Sequence, residues 1–429
     1  MGGGSSKDQA TASAAAAAAT GDKATGEAAN GSASTDRSPH TTRSHLLRLS
    51  RAVNQYAMAQ YQEFIRDGKR TGNVVFAPIS LSVGLGMLYL GSKGATRDDI
   101  CKVLCLHEMS ERHLLAAYAA LHWDVVRSAT SRGCIYESAI RVFCPLYVKA
   151  TPDYLNTLDS CEVTPLGAVD FQTRPDLARK EINRWTAEKS HRRILDVLPT
   201  GVIGRDTRLL LVAASYIKVR WRYAFDPKKT LTASFYLNHK ETPKVLMMNQ
   251  QQHYNCSFCA KVDSDVLELP FTNGYTKLYV FLPRKIEGIG KLERKISRDL
   301  IEGAISKMTY QHVDVYLPKF RYELGLPYKD MMTRVGIKHL FEYGRTNLAG
   351  IDGTRNLFVS RVFHHVFLEF DEGLASSACR SDQAHELDMD NGQTDRTFCA
   401  DHPFMFIIID ERTGAILQMG RVLRPTLAY

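Results

Sequence analysis

The chain is predicted to adopt an α+β fold, and three observations carry that prediction. Amphipathic helical patterns crowd the first half of the 429 residues. After Arg208 the pattern changes to short runs rich in β-branched and aromatic residues, the composition of strands. Helices first and strands later is the order of an α+β protein rather than of alternating βαβ units. The third observation is a gap. Two strongly apolar runs, "RVFHHVFLEF" (Arg361–Phe370) and "CADHPFMFIIID" (Cys399–Asp410), are separated by the polar stretch "EFDEGLASSACRSDQAHELDMDNGQTDRTF" (Glu369–Phe398). Connections this long without structure of their own are uncommon in compact domains, and tend to be functional or disordered.

The elements follow in order. Residues 1–44 are rich in Ala, Gly, Ser and Thr and nearly devoid of large apolar side chains, so they are predicted to form a disordered tail ahead of a single domain over 45–429. "SHLLRLSRAVNQYAMAQYQEFIRDG" (Ser44–Gly68) repeats apolar residues at helical spacing and stops at a glycine. "NVVFAPISLSVGLGMLYLGSKGAT" (Asn73–Thr96) reads as a short strand followed by a helix of small residues. "SERHLLAAYAALHWDVVRSA" (Ser110–Ala129) is a further helix, "ESAIRVFC" (Glu137–Cys144) a strand, and "RPDLARKEINRWTAEKSHRRILDVL" (Arg174–Leu198) a long helix. The strand series comprises "LLLVAASYIKVRWRYAF" from Leu209, "TASFYLN" from Thr232, "TPKVLMMNQ" from Thr242, "DVLELPF" from Asp265, "TKLYVFLP" from Thr276 and "HVDVYLPKFRYEL" from His312. One late helix, "LPYKDMMTRVGIKHLF" (Leu326–Phe341), interrupts it before the two apolar runs around the gap.

Composition narrows the functional classes. Hydrophobic residues make up 44% and charged residues 24%, an ordinary globular balance. The net charge of +9 invites an anionic partner, but the basic groups "KSHRR", "KVRWR" and "PKK" are short and mixed with apolar residues, which reads as a solvated surface rather than a nucleic-acid site. Nine cysteines form no paired CxxC spacing. The lone "CSFC" (Cys256 and Cys259) has no second pair, so reduced thiols and no metal are expected. No stretch is long and apolar enough to span a bilayer, and no secretory leader opens the chain, which points to the cytoplasm. The alternative is secretion by a route or start site not visible in the sequence, in which case the sequons at Asn30 and Asn255 would matter. "MGGGSSK" fits N-myristoylation of Gly2, and a glycine-serine linker would look the same.

From His45 to Pro425 the sequence resembles the serpin family. The resemblance is carried, in order, by "NVVFAPISLSVGLGMLYLGSKGAT", "YIKVRWRYAFDP", "TPKVLMMNQ", "LYVFLP", "VDVYLPKFRYEL", "VGIKHLF", "LFVSRVFHHVFLEFDEG" and "ADHPFMFIIIDERTGAILQMGRVLRP". It implies a serpin fold with a large central mixed sheet, two smaller sheets and about nine helices, and an exposed reactive centre loop over 373–398. It also implies a suicide-substrate protease inhibitor without a catalytic residue or cofactor of its own. The protease acylates on the loop, the loop inserts into the central sheet, and the protease is distorted before it can deacylate. The alternative is a non-inhibitory serpin that binds a partner protein through its surface or loop. A monomer is expected, with a serine or cysteine protease as partner, no nucleic acid, and a membrane only if Gly2 is acylated.

The hinge reads Glu372, Gly373, Leu374, Ala375, Ser376, Ser377, Ala378, Cys379. It is one residue shorter before Gly373 than the family pattern, with Leu374 where that pattern has a hydroxyl residue. Insertion turns the loop into a strand, so alternate residues enter the core. If Gly373 keeps its family position, Leu374, Ser376, Ala378, Arg380, Asp382, Ala384 and Glu386 face inward and the cut follows Leu387. If the upstream strand keeps its place, the faces exchange. Ala375, Ser377, Cys379, Ser381, Gln383 and His385 then face inward, and the reactive bond is Asp388–Met389. The second register avoids burying charge and is preferred. A cut after Asp388, with Glu386 two residues earlier, would suit an Asp-directed protease. In the region where the sheet must open, the resemblance marks Ser80 and His364 as retained members of a polar cluster, while Ala77 and Ala213 replace a Ser and an Asn.

Overall fold

Pro39 opens the first helix, at the position where a missing N–H costs nothing and a fixed φ is already helical. The structure, a computed structural model, describes residues 39–66, 72–121, 135–160, 166–373 and 394–426. Helix α1 (Pro39–Arg66) therefore begins inside the segment expected to be tail. Strand β1 (Val74–Phe76) leads into α2 (Pro78–Leu90), which is buried along nearly its whole length, as its run of small and apolar residues requires. Then come α3 (Gly94–Val103), α4 (Glu111–Leu121), β2 (Ile135–Pro145), α5 (Pro152–Ser160), β3 (Gly167–Val169) and α6 (Pro175–Lys189).

The expected long helix to Leu198 ends nine residues early, at Lys189, because His191 and Arg192 take left-handed φ values of 46° and 61°. Ile194, Val197 and Leu198 are buried all the same, packed on the sheet from irregular backbone.

Strands β4 (Leu209–Lys218), β5 (Leu231–Ser234), β6 (Lys244–Cys259), β7 (Ser264–Pro270) and β8 (Thr276–Pro283) follow, with a 3-10 turn at Pro227–Lys229. After α7 (Ile289–Lys295) and α8 (Arg298–Ile305) come β9 (Thr309–Pro318) and β10 (Phe320–Pro327). Then α9 (Lys329–Val335), α10 (Ala349–Asp352), β11 (Val359–Phe370), β12 (Arg396–Cys399), β13 (Phe404–Asp410) and β14 (Ala415–Val422) complete the chain. The late helix is shorter than its pattern because Gly336, at φ +123°, ends it.

Two sheets contain these strands. One is mixed, in the order β10-β11-β4-β2-β3. The other joins the two smaller sheets expected from the sequence into nine strands, because β6 is 16 residues long and pairs with β5, β7 and β9 in turn. The mixed sheet has a core on each face. Leu209, Leu211, Ala213 and Ile217 of β4 belong to the main core, and the alternate Leu210, Val212, Ala214 and Tyr216 pack against α6 and the segment after it. Burial on both faces is why β4 reads as an unbroken apolar run instead of alternating.

Candidate functional site

β4 and β11 are neighbours within the mixed sheet and run parallel, paired from Leu209↔Val359 to Lys218↔Glu369. The long polar segment of the sequence leaves from the end of this seam. Two groups of side chains hold the seam, one at its middle and one at its upper end, and a third lies where the segment returns to the nine-stranded sheet.

At mid-seam, His364 of β11 is fully enclosed. Its Nδ1 lies 2.9 Å from the carbonyl oxygen of Ala213 on β4, and its Nε2 accepts the backbone N–H of Ala77 at 2.9 Å. A carbonyl needs a donor and an amide an acceptor, so the proton sits on Nδ1. Burial pushes the imidazole pKa down to about 3, which keeps the ring neutral. The edge of Tyr328 packs against it at 5.2 Å. At Ala77 and Ala213, the positions for which the resemblance implied a replaced Ser and Asn, the backbone itself supplies the partner of His364.

Ser80 is buried nearby, and its Oγ makes no hydrogen bond among the described residues; burial raises the pKa of the buried Tyr136 phenol, and the neighbouring Ser80 and Ser215 hydroxyls partly offset it. Gln418 of β14 donates Nε2–H to Ser215 Oγ at 3.1 Å and to the Phe367 carbonyl at 3.4 Å. Tyr136, Ser215 and Gln418 were not singled out from the sequence. They sit on three different strands, β2, β4 and β14, and only the packing of those strands brings them together.

At the upper end, Lys218 reaches across the seam to Glu369 at 3.3 Å and Asp371 at 2.8 Å. Burial alone would lower the ammonium pKa, but the two carboxylates outweigh it and raise it. Trp221 Nε1–H donates to the Asp371 carbonyl at 2.7 Å, and the Phe225 N–H to the Glu372 carbonyl at 3.0 Å. Glu372 is buried. It accepts from Lys319 Nζ at 2.7 Å and from Thr230 Oγ1 at 3.0 Å. Burial pushes this carboxyl up, and the hydrogen bonds from Lys319, its own backbone and Thr230 bring it below its ordinary value.

Gly373 closes the anchor at φ +68°. A Cβ there would lie 2.5 Å from Trp221 Cδ1, so neither the backbone angle nor the space admits a side chain. Lys319, Trp221 and Lys218 lie in segments quoted for their basic charge or for the resemblance, but nothing in the sequence marks them as partners of the anchor.

At the return, Asp395 exchanges two bonds with His312, donating N–H to its carbonyl at 2.9 Å and accepting its N–H through Oδ2 at 3.0 Å. Arg396 pairs with Asp265, and β12 continues parallel to β9.

Of the residues predicted to act, Glu372, Gly373, Ser80 and His364 are at these three places. Leu374 to Cys379, Leu387, Asp388, Met389 and Gly2 lie outside the described residues. Among the described residues no group of His, Cys, Asp and Glu could hold a metal ion, and six cysteines are free. Cys256 and Cys259 are three apart on one strand and so point to opposite faces. No described helix is long and apolar enough to cross a membrane.

Residues 51–425 match the family described as serpin (serine protease inhibitor). The chain belongs to the serpin family. This serpin is 32% identical over 381 residues to the leukocyte elastase inhibitor of Xenopus laevis, a match covering 88% of this chain and 99% of that protein. It is 30% identical over 393 residues to serpin B4 of Homo sapiens, again with 88% and 99% covered. Among solved structures it is similar to uncleaved ovalbumin, with a TM-score of 0.79 and 25% identity over 88% of this chain and 100% of that one. The mouse protein-Z dependent protease inhibitor gives the same TM-score and identity over 90% and 99%. The α+β serpin fold read from the sequence is thus the fold of the molecule.

Proposed function

We propose that this serpin inhibits a protease as a suicide substrate, through the loop 373–398 and its insertion between β4 and β11. The observation that carries the reading is the parallel seam, with the loop leaving from its end at Gly373. Parallel pairing is slightly less stable per residue than antiparallel pairing. A strand that starts at Gly373 and folds back between β4 and β11 runs antiparallel to both, replacing one parallel ladder with two antiparallel ones. That exchange favours insertion once cleavage frees the loop. The relatives named as leukocyte elastase inhibitors support a protease as the partner.

The anchor at Glu372 supports the second register. Lys319, Thr230 and Phe225 hold Glu372 from three sides, so the missing residue is absorbed downstream of it. Gly373 at φ +68° also interrupts the strand alternation that ends at Phe370. Ala375, Ser377, Cys379, Ser381, Gln383 and His385 then enter the core, and the protease cuts Asp388–Met389 rather than after Leu387. Target classes are serine or cysteine proteases, with an Asp-directed enzyme favoured by Asp388 and Glu386.

The test is incubation with a protease panel followed by denaturing electrophoresis. A covalent complex that survives denaturation, and a released fragment beginning at Met389, are the expected results. Clean cleavage without complex by every protease that cuts the loop would overturn inhibition and leave the partner-binding alternative. That alternative is the one that Leu374, at the position of the family's hydroxyl residue, would favour. A fragment beginning at Asp388 would restore the first register.

A further inference from the structure

Three separate parts of the chain wall a cleft of about 400 Å³ beside the loop anchor: β5 with the start of β6, the turn from β9 into β10, and the tail after β14. Backbone bonds fix these walls. Thr232 pairs with Leu246, the Lys319 N–H donates to the Leu246 carbonyl at 2.8 Å, and the Arg321 N–H donates to the Thr426 carbonyl at 3.0 Å. Among the described residues, every ionisable side chain lining the cleft is cationic: Lys244, Lys319 and Arg424. Lys244 Nζ donates to the neutral Ser234 Oγ at 3.0 Å. Arg424 pairs with Glu241, but both side chains are about half exposed, so the pair contributes little and is readily exchanged. Lys319 is the third cation, and its Nζ is the group that holds Glu372 at 2.7 Å. Pro243, Val245 and Pro425 supply an apolar wall beside these charges.

We infer that this cleft binds a small organic phosphate, and that binding loosens the loop anchor at Glu372. Three converging cations suit a phosphate, whose oxygens accept from the two ammonium groups and, bidentately, from the Arg424 guanidinium. The apolar wall takes the organic part, and the volume is that of a small-molecule site. Lys319 is shared between cleft and anchor. A phosphate on its ammonium is a like charge beside the buried Glu372 carboxylate, and it weakens the bond between Lys319 and Glu372. Glu372 then keeps Thr230 Oγ1 as its side-chain partner, and the Phe225 N–H stays on its carbonyl. Such coupling is reciprocal: freeing Lys319 from Glu372 must strengthen phosphate binding by the factor that binding weakens the anchor. Binding is to the uncleaved protein, so it is independent of whether the loop traps a protease.

The experiment is calorimetric titration of the full chain with adenosine diphosphate and with pyrophosphate, against sodium chloride at matched ionic strength. The expected result is saturable binding at one site, tighter for the nucleotide because only it fills the apolar wall. Lys244→Gln and Arg424→Gln leave the anchor untouched and should each weaken nucleotide binding about tenfold. Lys244→Arg should retain it, which separates charge from folding. Glu372→Gln frees Lys319 and should tighten binding about fivefold or more. A second measurement needs no variant. In the parent, the nucleotide should speed hydrogen exchange at the Phe225 amide, which donates to the Glu372 carbonyl. No saturable binding, pyrophosphate binding as tight as the nucleotide's, or undiminished binding by both glutamine variants of the cleft would each overturn the inference. Unchanged affinity in Glu372→Gln, or unchanged exchange at Phe225, would overturn the coupling to the anchor.

Discussion

His364 on β11 and Ala213 on β4 face each other directly in the parallel register, and the imidazole Nδ1–H donates to the Ala213 carbonyl at 2.9 Å. The same ring accepts from Ala77, so one side chain ties both strands of the seam to the start of α2. Replacing it with Ala would orphan a buried amide and add a cavity. An unsatisfied buried group costs about 1–3 kcal/mol, and the lost packing adds to it. His364→Ala is therefore expected to lose about 2–5 kcal/mol, read as a lower midpoint in denaturant. A loss under 1 kcal/mol would mean that the seam does not depend on this bridge.

The same residue sets a pH dependence. Its folded pKa is about 3, against 6.5 in the unfolded chain. Between these values the unfolded chain binds a proton here that the folded chain does not. Stability from this group is complete above pH 6.5 and falls as pH drops towards 3, by about 1.4 kcal/mol per unit. His45, also lowered, acts with the same sign. A comparison of the parent with His364→Gln between pH 7 and 5 isolates the His364 share. Parallel stability curves for the two proteins would contradict it.

Lys218 spans the upper end of the seam to Asp371 and Glu369. The three side chains are partly exposed, so the pairing contributes modestly, about 0.5–1 kcal/mol, and salt screens it. A double-mutant cycle of Lys218→Met with Asp371→Asn should return that coupling at low salt and less at high salt. Zero coupling at low salt would reduce the contact to a surface ion pair without effect on the seam.

Gly373→Ala should destabilise the uncleaved protein by about 1–3 kcal/mol, from the strained φ and the displacement of Trp221. Tryptophan fluorescence on unfolding reports both the midpoint and the altered environment of Trp221. An unchanged midpoint would mean that the turn at residue 373 is free to rearrange.

The register is tested by single charges. In the second register Ser377 enters the core on insertion and Ser376 faces out. An unpaired buried carboxylate costs several kcal/mol. Ser377→Asp should therefore turn the protein into a cleaved substrate, while Ser376→Asp still forms the covalent complex. The opposite pattern on a denaturing gel would favour the first register.

Much of the fold was legible from local pattern. The unbroken apolar run of β4, the helical spacing of α1 and the polar gap after Phe370 each follow from a periodicity that neighbouring residues share. Helix ends were less so: α6 stops at Lys189 because two residues turn left-handed, which "SHRR" does not announce. Sheet grouping was also hidden, since only pairing shows that β6 is common to strands that look like two sheets.

The sequence by itself determined the fold class and much of the order of elements. Tertiary structure alone decided what His364 bonds to, that Lys319 holds Glu372, and that Ser80, Tyr136, Ser215 and Gln418 converge beneath one seam. The physical reason is range. Periodicity and composition act over a few neighbouring residues, whereas these contacts join groups from 53 to 287 positions apart that meet only when separate strands pack.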